Sequence, residues 1–265
     1  MIRKSYKETR AHESMKKRGQ VTIFVIVAIV IVAVFLVLLV YPRVRVFVGG
    51  EINPSSYLKS CIEPEIDNVL PTITSQGGYY APNNYVMYRG VKVQYLCYTA
   101  ENYKPCIVQQ PLLVGHVAQE IKDKIKTKAE GCMQNLKTLY EQEGYRVSGA
   151  LSEINVSIIP GSVSVVFLAP LEVTKEQTQT FRRLELMKKS ELYDLLLTAT
   201  SIVQFESTLG DSETSLYLQF YPDLKIEKLK KEGDTIYTLT NVVTNEKFTF
   251  ATRSLVWPAG YGVIE

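Results

Sequence analysis

Twenty consecutive residues, Val21 to Val40, contain a single hydroxyl (Thr22) and no charge. A helix of that length is roughly 30 Å long at about 1.5 Å per residue, which matches the hydrocarbon thickness of a bilayer. Soluble core helices seldom run so long without a charged residue, and the h-region of a cleaved secretory signal is shorter and is followed by small residues. The run therefore predicts a transmembrane helix. Pro42 ends the easy helical path, because it lacks an amide hydrogen and restricts the residue before it.

The flanks orient the helix. Residues 1–19 hold seven basic side chains, three of them in Lys16-Lys17-Arg18, against two acidic ones, a net charge of +5. Only Arg43 and Arg45 follow closely on the other side. Positively charged flanks stay in the cytoplasm, so the expectation is a cytoplasmic N-terminus and an extracytoplasmic remainder. The predicted organisation is a basic cytoplasmic segment over residues 1–19, a transmembrane helix over 20–41, a juxtamembrane linker over 42–52 and an extracytoplasmic domain over 53–265. Since the whole chain carries +3, residues 20–265 carry −2, and a nucleic-acid partner loses its electrostatic basis.

The junction Lys16-Lys17-Arg18-Gly19-Gln20-Val21-Thr22 places one Gly between a basic cluster and the apolar run. It resembles the class III signal of archaeal type IV pilin-like proteins, in which a dedicated peptidase cuts after the Gly. The resemblance implies a processing site at Arg18, Gly19 and Gln20, with the bond between Gly19 and Gln20. An uncut signal anchor is the alternative. Many pilins carry Glu at the fifth mature position, which is Phe24 here. More broadly the chain resembles a group of uncharacterised membrane-anchored archaeal proteins with a GQVTIF-type anchor. That similarity continues through Ser60-Cys61, Gln76-Gly77-Gly78-Tyr79 and Phe250-Ala251-Thr252-Arg253-Ser254. It implies a surface component, with the bilayer and copies of itself or other pilin-like subunits as partners, and it supplies no activity to carry over.

Beyond the linker, Leu58, Ile62, Ile66, Val69 and Ile73 recur at helical spacing, with Ser55 or Ser56 as cap and Gly77-Gly78 as exit. Tyr85–Tyr88 and Val91–Tyr98, separated by Arg89-Gly90, read as a hairpin. A second helix is expected from Leu112 to Glu143, interrupted at Gly131, and a third after Ser190 with Leu192, Leu195, Leu196, Ala199, Ile202 and Val203 inward. Alternation predicts strands at Glu153–Ile159, Ser162–Leu168, Leu171–Val173, Phe181–Leu186, Ser215–Phe220, Thr235–Thr240, Glu246–Ala251 and Leu255–Trp257. The expected class is α+β, with helices packed on a mostly antiparallel sheet.

All four cysteines lie after the apolar run, in the compartment expected to be oxidising, so disulfides are the default. Of the three possible connectivities, the favoured one pairs Cys61 with Cys132, on the inward faces of the first two helices, and Cys97 with Cys106 around a short loop. No CxxC spacing favours a metal, and no cofactor is implied. There is no GxGxxG after a strand, Walker A, HExxH or GxSxG pattern. The only histidine beyond the apolar run is His116, which reads as an ordinary helical residue. Glu63, Glu65 and Asp67 could serve carboxylate chemistry but read more simply as a solvated helix face. Asn155-Val-Ser157 is a glycosylation sequon. The Tyr-dense stretch from Tyr79 to Tyr103 suits either strand packing or a recognition surface. Two functional classes remain: a membrane-anchored surface protein displaying an interaction domain, and an anchored carboxylate hydrolase acting on surface polymers.

Overall fold

The computed structural model describes residues 25–33, 52–150 and 152–254. The chain divides into two compact units, Met1–Glu51 and Ile52–Glu265. In the first, residues 25–33 form an exposed helix, α1. No helix among the described residues is long and apolar enough to cross a membrane. The remainder of the apolar run, the basic flank with Arg18, Gly19 and Gln20, and linker residues 42–51 lie outside the described residues, as does the strand expected at Leu255–Trp257.

The second unit is α+β. Helix α2 (Pro54–Ser75) is capped by Asn53, whose side chain accepts from the Ser56 amide at 3.1 Å, so the cap lies just upstream of the expected serines. The helix continues through Pro64 and Pro71 and buries all five predicted apolar residues. It leaves through Gly77 and Gly78, whose φ values of 73° and 90° favour glycine, and a Cβ on Gly78 would come within 2.9 Å of Val117 Cγ2. Helix α3 (Leu113–Gln142) runs unbroken past Gly131. Ile52 meets Tyr140 at one end of the pair and Gly78 meets Val117 at the other, so α2 and α3 are antiparallel. The Cys61–Cys132 disulfide joins them, with Cα atoms 6.0 Å apart.

Strands β1 (Tyr85–Tyr88) and β2 (Val91–Tyr98) form the expected hairpin, with Arg89 and Gly90 both at positive φ in its two-residue turn. A short β3 (Ile107–Val108) pairs with β2 and is fastened by Cys97–Cys106. The first sheet is completed by β8 (Leu224–Lys231), β9 (Asp234–Asn241) and β10 (Lys247–Arg253), in the order β1-β2-β10-β9-β8. Its single parallel pairing is β2 with β10. A second, antiparallel sheet comprises β4 (Arg146–Ser148), β5 (Glu153–Ile159), β6 (Ser162–Thr174) and β7 (Thr178–Lys189). The two strands expected at Ser162–Leu168 and Leu171–Val173 are one strand, β6. Its register shifts between Leu168 and Leu171, around Pro170, which cannot donate to a ladder.

Helix α4 (Leu192–Leu209) buries the predicted inward residues and ends at Gly210 in the left-handed conformation. It packs against strands of both sheets, so α2, α3, α4 and the sheets share one apolar core. The strand expected at Ser215–Phe220 is instead a helix, α5 (Ser215–Phe220). Six residues satisfy period 2 or period 3.6 almost equally well. Tertiary contact decides, through the Tyr217 and Ser201 hydroxyls, which hydrogen-bond at 2.7 Å between α5 and α4.

Candidate functional site

A cleft of about 540 Å³ is walled by the C-terminal half of α2, the end of β7, the first turn of α4 and the β9–β10 turn. Its apolar lining comes from Leu70, Pro71, Leu192 and Leu195, and its rim carries Thr74, Asn245, Glu246 and three lysines, Lys188, Lys189 and Lys247. Local chemistry explains each wall. Pro71 has no amide to donate, so the Asp67 carbonyl loses its helical partner beside the cleft. Glu191 at the start of α4 makes no side-chain cap. Glu246 reaches over from the β9–β10 turn instead, accepting from the Glu191 amide at 2.5 Å and the Ser190 hydroxyl at 3.2 Å. A carboxylate is well placed there, at the positive end of the helix dipole.

The two acids lining this cleft are already engaged. Glu246 caps α4, and Asp67 is ion-paired with Lys188, which also lies 3.8 Å from Glu63. Carboxylates held in this way neutralise a cation or fasten a backbone. Glu65 sits on the same helix without an ion-pair partner among the described residues. The cleft suits an organic ligand with an apolar face and polar edges, the usual composition of a small-molecule pocket.

A second cluster is built around a carboxylate closed to solvent. Glu206, only 1% exposed, accepts from the Tyr237 hydroxyl and, at 3.3 Å, from the Ser212 amide. Lys228 donates to the Ser212 carbonyl at 2.6 Å and to Asp211 at 2.5 Å, and Lys230 donates to Asp211 at 2.7 Å. Burial pushes the Glu206 carboxyl above its usual range, although the Tyr237 hydroxyl and Lys228 pull the other way. Burial and the neighbouring Glu206 raise the Tyr237 phenol as well. Burial alone would also raise Asp211, but the hydrogen bonds from Lys228 and Lys230 outweigh it and hold that carboxyl low. With Glu206, Ser212 and Tyr237 all at 1% exposure or less, the cluster acts as a clasp tying the α4–α5 loop to β8 and β9.

The residues singled out from sequence are scattered. The four cysteines are joined in the two favoured pairs. His116 lies on α3 with its ring 4.1 Å from that of Tyr79; burial lowers its proton affinity against the pull of Glu120 and a Gly78 backbone hydrogen bond. Asn155 is half-buried in β5. The tyrosines divide between packing and cation contacts: Tyr95 is buried, whereas Tyr80 lies under Lys124 at 3.9 Å and Tyr85 under Lys92 at 4.7 Å. Among the described residues no group of three or more potential ligands could hold a metal ion. Sequence reading missed Glu246 and the Glu206 clasp. One signal for the latter was available, since Glu206 continues the inward series Leu195, Ala199, Ile202 of an apolar helix face. Compared with known proteins, the chain matches no family model, no curated protein and no solved structure.

Proposed function

We propose that this chain is a single-pass membrane protein with a cytoplasmic N-terminus, displaying its α+β domain outside the membrane as a binding component of the cell surface. One observation carries the reading. A single chain joins a strongly basic flank and a 20-residue uncharged run to a domain in which every cysteine is paired. Charge asymmetry of this kind sets topology, and stable disulfides belong to oxidising compartments. The domain then acts by presenting surfaces, of which the α2–α4 cleft is the small-molecule subsite. The pilin-like junction adds a narrower version, a minor subunit of a pilus-like assembly released by cleavage after Gly19.

Fractionation and mass spectrometry of the native protein test this. The chain is expected to stay in membranes through carbonate extraction, and its C-terminal domain to be cut by protease added to whole cells. Its mass should rise by about 4 Da on reduction, for two disulfides opened. Loss of residues 1–19 from the intact mass would support pilin-type processing, while full length would leave a plain anchor. Recovery in the aqueous fraction, or a domain protected from external protease, would overturn the reading.

A further inference from the structure

We infer that a second copy of this chain docks on the face formed by α4 and α5, across a two-fold axis. The inference goes beyond the anchor reading and does not rest on it. Charged residues make up 22% of the chain, yet Leu195–Leu209 holds only Glu206, which is buried, and Thr214–Pro222 holds none. Depletion of charge with retention of aromatic and aliphatic side chains is the compositional mark of an interface core. Seven large apolar side chains between Leu197 and Tyr221 are 44% to 76% exposed, with Phe220 the most open. None of the six residues of α5 is buried.

Area sets the scale. Those seven side chains leave on the order of 800 Å² of surface in water, comparable with the roughly 800 Å² that each partner contributes to a standard interface. Five of the seven, Phe205, Leu209, Leu216, Phe220 and Tyr221, line one groove and so form a shared apolar surface, the kind that marks an interaction site. Shape favours a copy of the same chain. Phe205, Leu209, Leu216 and Phe220 line a groove of about 590 Å³ between the helices, and Phe220 is the most exposed of them at 76%. A groove and a projecting aromatic side chain on one face are what a self-complementary, isologous contact needs. Charge disfavours lipid as the occupant. Helices that lie in a membrane interface carry Lys or Arg on their polar side, and there is neither between Leu195 and Pro222. Two acids also line the groove: Asp211 is paired with Lys228 and Lys230, and Glu213 accepts from the Ser215 amide at 2.9 Å.

The full chain in detergent tests the inference, by light scattering and by cross-linking. Because its four cysteines are all paired, an introduced thiol is the only free one. Wild type should show twice the 30.0 kDa chain mass at micromolar concentration. Leu216→Asp with Phe220→Asp should return it to a monomer with an unchanged far-UV circular dichroism spectrum, because both side chains are exposed, and with a thermal midpoint that no longer depends on protein concentration. Phe220→Cys should form oxidised dimer at least several-fold faster than Met87→Cys, whose position is 57% exposed on β1, at the opposite edge of the sheet from β8, against which α5 packs. A monomeric wild type, a dimer that survives the double substitution, or equal cross-linking at the two positions would overturn it. So would quenching of a fluorophore on Phe220→Cys by brominated phosphatidylcholine in a monomeric sample, which would assign the face to lipid. If the double variant fails to fold, the cross-linking comparison still decides.

Discussion

Removing the two disulfides one at a time should cost unequal amounts of stability, and loop length sets the order. The bridge between Cys61 and Cys132 spans 71 residues, that between Cys97 and Cys106 only nine. Loop-closure entropy, with its logarithmic dependence on length, gives about 4.4 kcal/mol for the first and about 2.6 kcal/mol for the second at 25 °C. The short loop lies within the long one; closing it shortens the outer loop's effective length by only about nine residues and changes the larger figure by about 0.1 kcal/mol. Native packing adds a smaller correction. Cys97 and Cys106 are both buried, whereas only Cys132 is buried in the longer bridge, so Cys→Ala leaves slightly more void at the short one and narrows the gap. For a domain of this size the losses correspond to drops in thermal midpoint of about 9–18 °C for Cys61→Ala with Cys132→Ala, and about 5–10 °C for Cys97→Ala with Cys106→Ala. Urea unfolding of both pairs, with wild type as reference, measures the difference directly. If the short-loop pair proved as costly as the long-loop pair, the unfolded chain would not be what these bridges act on.

The Cys61–Cys132 bridge was legible because helical periodicity had already placed its partners, and Cys97–Cys106 because it closes a short loop after the hairpin. Over the 22 residues of α2 and the 30 of α3, inward positions repeat often enough to fix a face, and Cys132 falls on the buried stripe with Ile125 and Leu136. The β1–β2 hairpin was equally readable, since Arg89-Gly90 must turn between two alternating runs. Short segments lacked that redundancy. Ser215–Phe220 was misread, and Leu224–Lys231 escaped notice because lysine fills four of its eight positions. Such a strand belongs at a sheet edge, where charge discourages further pairing. The cleft and the clasp were illegible for a different reason. Glu246 lies 55 residues from the amide it caps and Glu206 lies 31 residues from Tyr237, and no local rule connects positions so far apart.

Three further substitutions probe the interior of the fold. Gly131 lies inside α3 with open space around an added Cβ, so Gly131→Ala should raise unfolding free energy by about 0.8–1.0 kcal/mol in urea titration, and a loss would mean the helix needs that glycine. Gly149 is the contrary case: at φ 106°, with an added Cβ only 1.7 Å from the Pro170 carbonyl oxygen, Gly149→Ala should cost well over about 1 kcal/mol. Glu206→Gln tests the clasp through pH. Because burial raises the folded-state proton affinity of Glu206, its contribution to stability is fully present below the ordinary carboxylate pKa of about 4.3 and is lost as pH rises through the elevated value. Gln does not titrate, so thermal midpoints of variant and wild type should lie closest in acid and separate toward pH 8, the variant gaining on wild type. Parallel curves over that range would show that the Tyr237 hydroxyl, the Ser212 amide and Lys228 together offset the desolvation of Glu206 completely.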